Sequence, residues 1–197
     1  LPEARFVIQR DASGRGAPPF LCRGGRSMLK YVPQMTSVVM EEIPDRVTLA
    51  VDISNCTGLC EGCHSPFLRG DLGEELTPDV VDRLIVDNFG VNCFLLLGEG
   101  NDRKALTDIA SYVKRAHSSL ELALYSGRET VEDDIFDIFD YVKVGPYRPS
   151  CGPLNSRTTN QRLYKVKHGS TLTDGKSYTL EDITSRFWHK GIDPSAR

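Results

Sequence analysis

Residues 46–66 read "RVTLAVDISNCTGLCEGCHSP". The first nine, "RVTLAVDIS" (46–54), are β-branched and apolar, with Pro44 before them and a cysteine-rich loop after them. That composition predicts a buried strand. The loop spaces its thiols C-x3-C-x2-C, at Cys56, Cys60 and Cys63, with Gly62 before the third and His64 after it. The elements downstream of such a strand decide the fold.

The segment "TPDVVDRLIVDN" begins as a helix should. Thr77 suits the N-cap, Pro78 the first helical position and Asp79 the first turn, while Val81, Leu84 and Ile85 share a face. "CFLLL" (93–97) reads as a second strand. "DRKALTDIASYVKRAH" (102–117) is a second helix, with Leu106, Ile109, Ala110 and Val113 at helical spacing. "LELALY" (120–125), the acidic "VEDDIFDIFD" and "YVKV" (141–144) continue as strand, helix and strand. The acidic run 132–134 fits a solvated helix start, since carboxylates favour helix N-termini.

Strand and helix alternating in this way imply parallel strands joined by helical crossovers. Four strands and three crossovers are too few to close an eightfold barrel. The expected fold is therefore α/β, a partial, open parallel β/α barrel. "SVVMEEI" is expected as an edge strand before it. "RLYKV", a turn region with Gly and Asp, and "SYTLEDITSRFW" are expected as a hairpin and a last short helix.

The 197 residues suit a single domain over 28–197. The first 27, which include "RDASGRGAPPFLCRGGRS", have no helical or strand period and are expected to be a disordered leader, tag or upstream extension, with Met28 as the natural start. A formal charge of −3 with scattered Lys and Arg argues against a nucleic-acid partner. No apolar run is long enough for a membrane span, and the cytoplasm is the expected location. Six cysteines without a secretory signal favour metal or redox chemistry over a disulfide framework. Cys93 reads as a small buried residue of a strand and Cys151 as an incidental thiol.

In parallel α/β sheets ligands bind beyond the carboxyl ends of the strands. Here those ends carry the cysteine loop, "GEGND" (98–102), "YSGRE" (125–129) and "GPY" (145–147), which should lie on one rim. A structural zinc site wants four ligands in a closed tetrahedron. Cys56, Cys60, Cys63 and His64 make four, but the adjacent residues 63 and 64 would have to face one ion. A [4Fe–4S] cluster takes one thiolate per iron, so three would leave an iron open to a small molecule. There is no P-loop and no Ser-His-Asp arrangement.

C-x3-C-x2-C after the first strand resembles the signature of the radical S-adenosylmethionine enzymes. "CEGCHSP", "LYSGRE", "DYVKVGPY", "TTNQRLYKV" and "ITSRFW", spread from about Met28 to Trp188, resemble the activating proteins of anaerobic ribonucleoside-triphosphate reductase. The resemblance implies a partial barrel of the radical S-adenosylmethionine type, one [4Fe–4S] cluster on Cys56, Cys60 and Cys63, and S-adenosylmethionine chelating the open iron. Reductive cleavage would yield a 5′-deoxyadenosyl radical that abstracts hydrogen from a glycine of the reductase, the protein substrate. A reduced flavodoxin or similar donor is also implied.

By the same resemblance Gly62, Cys63 and His64 would contact adenine. Gly98, Glu99 and Gly100 stand where the family has a Gly-Gly-acidic turn for the cofactor's amino group, in a different order here. Ser126 and Gly127 would meet its carboxylate or ribose, and Asn160, Gln161 and Arg162 the cluster loop or the partner. The alternatives are another radical S-adenosylmethionine enzyme, acting on a different glycyl-radical protein or on a small molecule, and a zinc-stabilised interaction module.

Overall fold

The computed structural model describes residues 28–169 and 177–188. The expected leader and the turn at 170–176 lie outside the described residues.

Strands β1 (Lys30–Tyr31), β2 (Ser37–Val39), β3 (Thr48–Asp52) and β4 (Glu74–Glu75) precede helix α1 (Pro78–Asp87). Next come β5 (Cys93–Leu97), α2 (Arg103–Ala116), β6 (Glu121–Tyr125), α3 (Asp133–Ile138), β7 (Tyr141–Val144), β8 (Arg162–His168) and β9 (Tyr178–Asp182). A 3₁₀ turn, Thr184–Phe187, stands where the last short helix is expected.

The main sheet has seven strands in the order β2-β3-β5-β6-β7-β8-β9. β3, β5, β6 and β7 are mutually parallel, as their alternation with helices requires. β2 is antiparallel to β3, and β8 and β9 extend the other side as an antiparallel hairpin. The fold is thus α/β with a mixed sheet that does not close, because β2 and β9 are its edges.

Helix starts are written locally. The Thr77 side chain accepts from Val80 N–H at 3.3 Å, and Asp102 does the same for Ala105 at 3.0 Å. α2 places Leu106, Ile109, Ala110 and Val113 in the core. They pack on one sheet face through Leu49, Val51, Phe94, Leu96, Leu122 and Leu124. The alternate residues Ala50, Cys93, Leu95, Ala123 and Tyr141 point to the opposite face. There they are covered by Ile43, from the β2–β3 connection, and by Leu163 and Ile183, from the far end of the chain. Arg186 pairs with Asp45 at 2.6 Å, so the last turn touches the first hairpin across that second face.

Among the described residues, no helix is long and apolar enough to cross a membrane.

Candidate functional site

β3 ends on Asp52, and the chain turns through Asn55 at a positive φ of 58° into the cysteine loop. The loop is tied back by its own backbone: Cys56 N–H donates to Leu68 O at 2.9 Å and Cys63 N–H to Cys60 O at 3.3 Å. Arg69 clamps it from outside, donating to Gly58 O at 2.9 Å and Cys60 O at 3.3 Å. Gly58 N–H also points at Cys56 Sγ, 3.4 Å away.

Cys56, Cys60 and Cys63 are half-buried free thiols. They line one cavity of about 480 Å³ together with His64, Gly98 and Gly127. A smaller recess of about 260 Å³ joins Cys56 and Cys60 to Gly98, Glu99, Gly100 and Gly127. The expected rim is therefore assembled: the ends of β3, β5 and β6 bring their loops to the same thiols, and Tyr147, after β7, closes on His64 with ring centroids 5.0 Å apart.

Not every expected residue faces the cavity. Ser126 is buried; its hydroxyl donates to Glu99 and accepts Arg128 N–H at 3.0 Å. It holds Glu99, which also pairs with Arg128 at 3.4 Å. Gly62, at φ 66°, makes room for the loop after β7: a Cβ there would lie 3.0 Å from Pro149 Cγ and 3.2 Å from Tyr147 Cε1. Asn160 donates to Pro146 O at 2.9 Å and Gln161 to Gly145 O at 3.3 Å, so both brace the loop after β7. Gln161 also lines the larger cavity, while Arg162 donates to Thr159 O and Gln161 O.

The same cavity has a wall that loop motifs did not reveal, formed by Asp52, Tyr125 and Lys143. All three belong to strands and share the face of Ala50, Ala123 and Tyr141 by the two-residue alternation. Lys143 is 9% exposed, and its ammonium lies 5.6 Å from the Tyr125 ring centroid. Burial pulls its pKa down to about 8, against the opposing effect of the Cys60 and Glu42 charges. Burial pushes the Asp52 carboxyl up, and the Glu42 charge adds to that. A lysine inside the otherwise apolar "YVKV" strand is the signal that marks this wall in the sequence.

Among the described residues, no three or more His, Cys, Asp or Glu side chains are drawn into a ready metal-holding group. The thiols instead surround a cradle kept open by glycine. A Cβ at Gly58 would stand 3.3 Å from Cys56 Sγ and 3.8 Å from Cys60 Sγ, and one at Gly127 would stand 3.2 Å from Cys60 Sγ. Three thiols line one cavity, with space held beside the sulfurs of Cys56 and Cys60, and thiolates are the donors an iron–sulfur group takes. No protein-family model, curated protein or solved structure matches the chain.

Proposed function

We propose that the chain is an iron–sulfur enzyme of the radical S-adenosylmethionine type, an activase that generates a glycyl radical on the anaerobic ribonucleoside-triphosphate reductase in the cytoplasm. The observation that carries this reading is the shared cavity: three thiols at the end of the first parallel strand meet the glycine turn after the second.

Cys56, Cys60 and Cys63 would hold a [4Fe–4S] cluster as thiolates. When bound, that group would supply the electron that splits the sulfonium of S-adenosylmethionine to methionine and a 5′-deoxyadenosyl radical. The chain's own part is binding, orientation and exclusion of water. Gly98 and Gly100, at φ 113° and 65°, let the turn after β5 approach a ligand closely. Glu99, fixed by Ser126 and Arg128, presents a carboxylate to the recess for the cofactor's ammonium. Lys143 is the buried cation for its carboxylate. The His64–Tyr147 pair offers a stacking surface for adenine.

The mixed sheet is read as an open barrel; in support, the Asp45–Arg186 pair draws the two ends of the sheet toward each other. A closed zinc centre would need the adjacent Cys63 and His64 to turn to one ion as its third and fourth ligands. The test is anaerobic reconstitution with iron and sulfide, then reductant, S-adenosylmethionine and the reductase, read by electron paramagnetic resonance. A glycyl doublet on the reductase is expected. Cofactor cleavage without that doublet would replace the protein substrate with a small molecule, and a colourless zinc protein would end the radical reading.

A further inference from the structure

From Thr57 to His64 the cysteine loop carries two of its three thiols, yet little ties its backbone to the rest of the fold. Cys63 N–H turns back to Cys60 O and Gly58 N–H faces Cys56 Sγ, so both contacts stay within the cysteine segment. Among the described residues, the hydrogen bonds that reach this backbone from outside come from one side chain. Arg69 donates through Nε to Gly58 O at 2.9 Å and through Nη2 to Cys60 O at 3.3 Å. The two carbonyls flank Leu59, which is 87% exposed, so its side chain supplies no anchor.

The base of this clamp is itself fixed. Leu68 is buried and its carbonyl accepts Cys56 N–H, while Gly70 O accepts Asn55 N–H at 3.1 Å. Hydrogen bonds on either side of Arg69 therefore set where its side chain starts. Its guanidinium is also used differently from its neighbours. Arg128 and Arg148, on the loops after β6 and β7, pair with Glu99 and Glu129, whereas both bonds of Arg69 go to carbonyls of the cysteine loop. Arg69 lines the thiol cavity as well. A planar guanidinium presents its N–H groups in a rigid fork and can hold two carbonyls at set angles. A lysine ammonium, a point charge on a flexible stem, cannot fix that geometry.

We propose that Arg69 is the positioning residue of the candidate metal centre, fixing the loop backbone from which the three thiols turn onto a soft metal or cluster. Among the described residues the thiols are not drawn into one metal-holding group. What the clamp sets is the path of the backbone, and side-chain rotation completes the ligation. Without it, a segment containing Gly58 and Gly62 would give up its backbone freedom on loading, and affinity would fall by that cost. The proposal rests on Cys56, Cys60 and Cys63 as the ligands and on no step of the radical chemistry.

The test uses the full chain, cluster-free and kept reduced under anaerobic conditions, with Cd²⁺ as the probe. Thiolate-to-cadmium absorbance reports binding, and competition with a chelator gives the affinity. R69Q and R69K should each bind Cd²⁺ about tenfold or more weakly than the wild type, the scale of loss when a group supporting metal ligands is removed. Their melting temperatures should be unchanged. R148Q takes a cation from the same rim but bonds neither carbonyl, and it should bind like the wild type. Wild-type affinity in R69Q would overturn the proposal. So would wild-type affinity in R69K, which would assign the effect to charge alone. A melting temperature that falls together with affinity would also overturn it, giving Arg69 to the fold. Absent cadmium absorbance in the wild type would remove the thiol ligands and the clamp together. The radical reading fails separately, as cofactor cleavage missing from a protein that loads iron normally.

Discussion

Gly127→Ala separates the site from the fold more cleanly than removing a cysteine. Gly127 does not require the left-handed region, so alanine meets no backbone strain there. The added Cβ would lie 3.2 Å from Cys60 Sγ. Ordinary non-bonded contact begins at roughly 3.5–4.0 Å, so the sulfur must retreat by a few tenths of an ångström. In the free protein it can do so by rotating about its side-chain bond, at a cost below about 1 kcal/mol. A thiolate bound to metal has no such freedom, because ligand distances hold to about ±0.2 Å. The expected outcome is a normal melting temperature with iron retention lowered about tenfold or more. Anaerobic reconstitution followed by iron assay and visible absorbance measures the second quantity; thermal unfolding of the unreconstituted protein measures the first. Full iron content in the variant would refute the reasoning, and equal losses of iron and melting temperature would show that the glycine serves the fold.

Other outcomes rest on the same geometry. The Cys93 thiol is pushed up to about 12, chiefly by burial, so at pH 8 only about one part in ten thousand is thiolate. Brief alkylation of the native, cluster-free protein should therefore label Cys56, Cys60 and Cys63 and spare Cys93 until pH approaches 12 or the chain unfolds, as peptide mass mapping can check. Phe94→Ala, at a fully buried ring facing the helices, should cost about 3–5 kcal/mol in denaturant titration. Gly73→Ala and Gly90→Ala both place alanine at positive φ, a cost of about 1–2 kcal/mol. Only the first also drives a Cβ into the carbonyl oxygen of Tyr31, whereas Gly90 has open space. Gly73→Ala should be clearly the more destabilising, and equal melting points would contradict this placement of β1 against β4.

The parallel strands and their helices were legible because each declares itself locally. A strand buried on both faces, such as Cys93–Leu97, needs an unbroken apolar run, and α2 repeats its apolar residues every turn. β1 and β4 had no such signal. Each is two residues long, and they pair only because the fold brings Lys30 beside Glu75. β3 begins two residues later than the expected strand 46–54, since Val47 N–H is taken by the Asn92 side chain at 3.0 Å. The thiols and the glycine turns of the candidate site were legible as loop motifs at strand ends. Asp52 and Tyr125 were not, because they lie within strands and only the common face of the sheet gathers them; of that wall Lys143 alone leaves a sequence signal, a charge inside an apolar strand. Ser126 was misleading for the opposite reason. Its loop position suggested access, but its hydroxyl is consumed by Glu99 and the Arg128 backbone.

The contact between Asp45 and Arg186 joins residues 141 positions apart. During synthesis the ribosome must release nearly the whole described chain before Ile183 and Phe187 can cover the face on which Ile43 rests. Until that moment the second face of the sheet lies open, and the core that Ile43 begins is completed only by the tail.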